Sequence, residues 1–286
     1  MPLRVALLAG RCLGFAGWLA DARHRRLAHH NLRQAFPDQS PAWMRRVVRR
    51  LYAHLGTIAM EFLWIPRMTQ EYFDTHFEVI GLDALMDACG RGQGVLLVAS
   101  HLGNWELQGA VLSRLGVPLI AVAKRHSNPL VDAWVRERRV RFSAPTLYRH
   151  ESRQLLPELI GSGKAIALVA DQDAGGRGIF VRFFGRPAST NVGPAYLALS
   201  TGAPLFASRM TRQRDGRHRL EIIGPIALPS NSAGGEKSAM LLALTQQWSD
   251  ILEGWVREDP EQWFWVHNRW KTQPRAEPTQ SPGPPS

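Results

Sequence analysis

The segment Ser100-His101-Leu102-Gly103-Asn104-Trp105-Glu106 sets an imidazole five positions before a carboxylate, with a glycine and an asparagine between them. Histidine titrates near neutral pH, so it can take a proton from a hydroxyl as the oxygen attacks a carbonyl carbon. A carboxylate on the other ring nitrogen would fix the tautomer and stabilise the imidazolium that forms. His101 is therefore the candidate general base and Glu106 its candidate partner, and backbone N–H groups at the start of the following helix offer an oxyanion site. Spacing alone leaves a second reading open, a loop histidine with a structural hydrogen bond. A second polar group, Asp171-Gln172-Asp173, follows the apolar run Ala165–Ala170.

Both groups need strands behind them. Gly94–Ser100 is a run of buried-strand character ending at His101, and Ala165–Ala170 ends at Asp171. In open α/β sheets, sites gather at the carboxyl ends of strands, and two parallel neighbours would open both loops on one edge. Further strands are expected at Pro118–Ala123, Ile179–Phe184, Leu205–Met210 and Leu220–Ile226. Helices are expected at Trp105–Leu115, Leu130–Val140, Gln154–Ile160, Gly193–Ser200 and Ser238–Val256. The alternation predicts an α/β fold with a central, mostly parallel or mixed sheet flanked by helices. Ahead of it, Ala42–Leu63 has Val47, Leu51, Leu55, Ile58 and Phe62 at helical spacing. Residues 1–65 thus read as a helical, basic, membrane-apposed section, 66–272 as the α/β domain, and the Pro- and Ser-rich 273–286 as a disordered tail.

Lysine and arginine total 35 against 24 acidic residues, a net charge of +11 that suits anionic partners without choosing among them. The 16 residues Val5–Ala20 are apolar except for Arg11, and Arg23-His24-Arg25-Arg26 follow. That is short of the roughly 20 residues of a spanning helix, and it fits an interfacial helix with a basic flank better. No Gly-x-Ser-x-Gly elbow supplies a serine nucleophile. Neither His-Glu-x-x-His nor Cys-x-x-Cys occurs, and Cys12 and Cys89 suggest no disulfide framework, so no metal or cofactor is expected. Gly161-Ser162-Gly163-Lys164 lacks the hydroxyl residue and first glycine of a phosphate loop. A nucleic-acid-binding module would explain the charge but neither the apolar N-terminus nor the polar strand ends, so no nucleic-acid partner is expected.

The Ser100–Glu106 segment resembles the first motif of the late acyltransferases of lipid A biosynthesis, within the wider glycerolipid acyltransferase group with its His-x-x-x-x-Asp/Glu motif. Further blocks resemble the same family: Asn31-Leu32 with Phe36-Pro37, Asp171-Gln172-Asp173 with Phe180–Gly185 and Ala188-Ser189-Thr190, and Pro260–His267 with Arg269–Thr272. Asn268 departs from the pattern, standing where many members have a basic residue. The resemblance implies an acyl-carrier-protein thioester as donor and a hydroxyl of a Kdo-bearing lipid A precursor as acceptor, on the cytoplasmic face of the bacterial inner membrane. Under it, His101 is the base and Glu106 the orienting carboxylate, while Asp171 and Gln172 help shape the acceptor site. Asn128 matches an Asn-Pro of the family. Asn104, Arg125 and Arg209 join it as candidate substrate contacts, the arginines because they stand at strand ends and can grip phosphates bidentately. Phe180, Phe183 and Phe184 are candidates for an acyl tunnel or, equally, for ordinary core.

Overall fold

A computed structural model describes residues 2–229 and 236–274; the tail predicted from Gln273 lies, from residue 275 onward, outside the described residues. Helices α1 (Leu3–Ala20), α2 (Ala22–Ala35) and α3 (Pro41–Trp64) come first, followed by α4 (Gln70–His76), β1 (Phe77–Ile80) and α5 (Leu82–Gly90). Strand β2 (Val95–Gly103), α6 (Trp105–Arg114), β3 (Leu119–Ala123), α7 (Pro129–Phe142), β4 (Thr146–Tyr148), α8 (Arg149–Gly161) and β5 (Ala165–Val169) form the alternating middle. A hairpin of β6 (Ile179–Phe183) and β7 (Arg186–Thr190) precedes α9 (Gly193–Thr201), β8 (Leu205–Arg212), β9 (His218–Ile226) and α10 (Lys237–Glu258).

Seven strands make one sheet in the order β1-β9-β8-β2-β5-β3-β4, and only the β8–β9 pairing is antiparallel. The α/β expectation holds, and the sheet is mixed with a parallel majority. Strand β2 is buried on both faces, as a central parallel strand must be. Its Leu96 and Val98 pack into a core with α2, α3, α9 and α10, while Val95 and Leu97 face a second core with α5 and α6. Elements absent from the sequence reading are short: α4, β1, α5, β4 and β7.

The N-terminal helices pack directly onto this body. α1 runs antiparallel along α3, and the crossing is made by glycines. A Cβ on Gly56 would overlap the carbonyl oxygen of Gly10, and one on Gly14 would overlap that of Tyr52. The opposite face of α1 exposes Val5, Leu8, Phe15 and Leu19, and the helix is long and apolar enough to cross a membrane. α3 then sends Met44, Val48, Leu51 and Tyr52 into the main core.

One buried polar cluster ties α3 to the end of β2. Glu61 is wholly buried. Its carboxylate accepts a hydrogen bond from Asn104 Nδ2 at 2.7 Å and pairs with Arg212, and His218 Nε2 lies 3.3 Å from it. Asn104 Oδ1 in turn accepts the Leu107 N–H at 3.0 Å and so caps α6. Two turns earlier in α3, His54 Nε2 reaches the Gly103 carbonyl at 3.2 Å; burial, then the charge of Arg212, pushes its imidazole down to about 4, so it is neutral and donates. Burial works against ionising Glu61, yet the His218 and Arg212 contacts outweigh it and hold its carboxyl down to about 2.

Between about 2 and the ordinary 4.5 the unfolded chain binds a proton that the folded chain does not. Stability from ionised Glu61 is therefore complete above about pH 4.5 and is lost as pH falls toward 2. Glu61→Gln should erase this part of the pH dependence and destabilise the fold at neutral pH by about 3 kcal/mol, because Arg212 stays largely shielded from water without its counter-charge. Thermal melts of both proteins across that pH range measure it; parallel slopes would refute the assignment.

Candidate active site

The pairing register of the sheet builds the site. β2 and β5 are parallel neighbours with Ala99 opposite Val169. Two residues beyond each member of that pair stand His101, still in β2, and Asp171, just past the end of β5. The chain crosses to opposite sides of β2 to reach β3 and β8, so the pair sits at a switch point of strand order, where α/β sheets leave a crevice.

The strand does not stop at Ser100 as its composition suggested. It continues to Gly103, and its register with β8 shifts between Ala99↔Ser208 and Gly103↔Met210, which sets four steps of β2 against two of β8. Such an irregularity bends a strand and re-aims its side chains. Gly103 makes it possible: its φ is +70°, and a Cβ there would overlap the Met210 carbonyl oxygen. His101 is thus held inside a bulge of β2, with its side chain 21% exposed.

Three donors converge on Asp171, whose side chain is only 2% exposed. His101 Nδ1–H donates to Oδ1 at 2.7 Å, the His101 backbone N–H to Oδ2 at 2.8 Å, and Trp263 Nε1–H to Oδ2 at 2.9 Å. Burial alone would raise the Asp171 carboxyl. The imidazole beside it and these hydrogen bonds outweigh burial and keep it below the usual carboxylate range, so it is an anion at neutral pH. Nδ1 is occupied, and no hydrogen bond to Nε2 occurs among the described residues, so Nε2 is the atom that can exchange a proton with a substrate. Trp105 meets the ring edge-on at 5.0 Å and Phe264 lies at 5.6 Å. The Phe264 N–H also donates to the His101 carbonyl at 3.1 Å.

The partnership expected between His101 and Glu106 takes a different form. Glu106 lies in the first turn of α6, where a carboxylate complements the helix dipole. There it is gripped by Arg139 of α7, with Nε to Oε2 at 3.0 Å and Nη2 to Oε1 at 2.5 Å. Burial lowers the guanidinium's affinity for its proton, but the Glu106 bonds more than restore it. This bidentate pair fixes α6 to α7, and the carboxylate on the imidazole is Asp171.

Other candidate contacts also have internal work. Asn104 is buried, with both ends of its amide used by Glu61 and the α6 cap. Arg209 is buried between β9 and α10, donating to Glu221 at 2.8 Å and Glu258 at 2.6 Å, so its guanidinium is committed to the fold. Asn128 caps α7 through the Leu130 N–H at 2.9 Å. Arg125 lies on the surface over the Tyr148 ring at 4.5 Å, 3.5 Å from Glu151. Gln172, half-buried, follows Asp171 directly. Phe183 and Phe184 belong to an aromatic core with Trp263, Trp265 and Trp270 rather than to an open tunnel, while half-buried Phe180 lines a groove against α10.

The C-terminal segment supplies what spacing could not reveal. Besides Trp263 and Phe264, His267 Nε2 accepts the Asp173 N–H at 2.9 Å, and Thr272 Oγ1 donates to Asp173 Oδ2 at 2.9 Å. Arg269, almost wholly buried, donates to the Ser189 carbonyl at 2.7 Å and the Thr190 hydroxyl at 2.5 Å. These positions all fall in the blocks whose resemblance runs across the chain, which was the one signal of their importance. Among the described residues no cluster of histidine, cysteine or carboxylate side chains can hold a metal ion.

A model of the family described as bacterial lipid A biosynthesis acyltransferase matches residues 1–272. The chain is 28% identical to a lipid A biosynthesis lauroyltransferase of Escherichia coli K12, over 98% of this chain and 89% of that protein. It is also 28% identical to a lipid A biosynthesis palmitoleoyltransferase of the same strain, over 97% and 88% respectively. A phosphatidylinositol mannoside acyltransferase of Mycolicibacterium smegmatis is 27% identical over 78% of this chain and 72% of its own length. The matched span takes in the β2 bulge, the residues that follow β5 and the C-terminal segment packed on both, and the chain belongs to the bacterial lipid A biosynthesis acyltransferase family.

Proposed function

We propose that the chain moves a fatty acyl group from an acyl-carrier-protein thioester to a hydroxyl of a Kdo-bearing lipid A precursor, at the cytoplasmic face of the inner membrane. The observation that carries this reading is the His101–Asp171 pair at 2.7 Å, which leaves Nε2 at the open edge of the sheet. In the proposed step Nε2 takes the proton of the acceptor hydroxyl as its oxygen bonds to the thioester carbonyl carbon. Ionised Asp171 stabilises the imidazolium that results. Collapse of the tetrahedral intermediate breaks the carbon–sulfur bond, and the imidazolium returns the proton to the departing thiolate. The N–H groups of Trp105 and Glu106 in the first turn of α6 are suited to the oxyanion, since the first turn of a helix has no intrahelical acceptors for them. Gln172, Asn128 and Arg125 are the proposed contacts to the acceptor, and the Glu106–Arg139 pair holds the start of α6 in place. The exposed stripe of α1 lies on the bilayer, because α3 covers the other face of that helix and a basic flank follows it.

Mass spectrometry of lipids after incubation of the purified protein with acyl-carrier-protein donors tests the reading. A Kdo-bearing lipid A precursor should gain one acyl mass. Gain confined to a mannosylated phospholipid would move the acceptor to the class named for the mycobacterial relative, and gain by none of these lipids would end the proposal. A folded His101→Ala protein should lose transfer by about a thousandfold or more. Asp171→Asn should lose on the order of a hundredfold, because an amide presents a donor to groups that already donate; near wild-type rates in either would refute the pair. Glu106→Ala and Arg139→Ala should each slow transfer by about tenfold, and the double variant should be no slower than the worse single, as for a unit. Multiplied losses in that cycle would mean the two act separately.

A further inference from the structure

Beside α1, a second element presents bare apolar side chains to solvent. α7 exposes Leu130, at 80% the most open large hydrophobic residue described, with Val131 and Trp134 after it. Leu130, Trp134, Arg138 and Arg141 follow at spacings of four, four and three, so they line one face of the helix. Trp134 packs edge-on against Phe62 of α3 at 5.8 Å, and Arg138 donates to the Leu63 carbonyl at 3.0 Å while lying over the Trp134 ring at 4.9 Å. Between α7 and the turn after α3 lies a groove of about 540 Å³, bordered by Leu63, Trp134, three arginines (Arg67, Arg138 and Arg141) and one carboxylate, Glu137. No carboxylate forms an ion pair with any of the three arginines among the described residues.

Leu63, itself exposed, stands two helical turns beyond Gly56 on the side of α3 that α1 crosses. Because the helices are antiparallel, Leu63 borders the start of α1. Leu63, Trp134 and Leu130 are exposed along the end of α3 and the outer face of α7, with Arg67, Arg138 and Arg141 beside them. Apolar tips next to cations match the boundary between acyl chains and phosphates in a bilayer. An acidic protein surface would satisfy the arginines but leave Leu130 and Val131 without a reason to be bare.

We propose that α7 is a second membrane-contact element: its first turn enters the acyl boundary of an anionic bilayer, and Arg67, Arg138 and Arg141 meet lipid phosphates. This rests on the reading that α1 lies on the membrane. The same helix carries Arg139, which grips Glu106.

The test is flotation of the full chain with vesicles of phosphatidylcholine, alone and mixed with phosphatidylglycerol. Leu130→Glu with Val131→Glu should reduce partition onto the anionic vesicles by about tenfold or more, as expected for withdrawing two apolar side chains. Carboxylates in the first turn suit the helix dipole, so circular dichroism should show an unchanged melt, and Leu130→Glu alone should show a smaller loss in the same direction. Leu8→Glu with Phe15→Glu is the control for α1. Wild-type partition by the α7 variant, with loss by the α1 variant, would overturn the α7 contact and leave the α1 reading standing. No partition of the wild type onto either vesicle would overturn both. Unchanged flotation with lost binding of an acidic carrier protein would assign the face to that protein and end the proposal.

Discussion

A single buried carboxylate connects three distant stretches of this chain. Asp171 follows β5, the imidazole it holds lies near the end of β2, and the indole that shares it comes from the segment after α10. An anion this far from water persists only where donors surround it, and here all three donors come from the chain itself. The requirement works in both directions. The β2 bulge and the Trp263 segment keep Asp171 ionised, and ionised Asp171 fixes the tautomer and orientation of His101. Removing any one member leaves a buried group unsatisfied, which costs more than the bond itself contributes.

A second buried carboxylate, Glu61, does for the backbone what Asp171 does for the ring. It holds Asn104, which caps α6, while His54, on α3 like Glu61, holds the Gly103 carbonyl. The two anions thus bracket the segment from His101 to Asn104, one from the sheet and one from α3. The N-terminal helices therefore serve the site as well as any membrane contact: α3 spans from the glycine crossing with α1 to the cluster beneath the bulge.

The larger elements were legible because their causes are local. Runs such as Val95–Ala99 and Ala165–Val169 can only be buried strands in a chain of this kind, and Val47, Leu51, Leu55 and Ile58 mark one face of a helix. His101 and Asp171 were both singled out as polar residues at strand ends. Their partnership was not legible, because it depends on β2 and β5 being neighbours in register, and β5 lies some sixty residues further along the chain. Glu106 looked like the partner because it is close in sequence. Strand and helix geometry turns it away, and Arg139 takes it. Arg209 and Asn104 looked available for a substrate for a similar reason: nothing in their neighbourhood in the sequence announces Glu221, Glu258 or Glu61. Short elements such as β4 and β7 have too few residues to show a period.

The charge of the chain divides along the same line between inside and outside. Arg139, Arg209 and Arg212 are committed to internal carboxylates, and Arg269 to a backbone carbonyl and a hydroxyl. These four fix the arrangement of α6, α7, β8, β9 and the C-terminal segment, and the three paired with carboxylates add little to attraction at a distance because those charges cancel locally. The surplus of +11 therefore belongs mainly to surface residues such as Arg67 and Arg141, whose charge is uncompensated where a partner can reach it. A basic composition read as one quantity cannot separate these uses. Burial does: it separates the arginines held inside the fold from exposed ones such as Arg67 and Arg141.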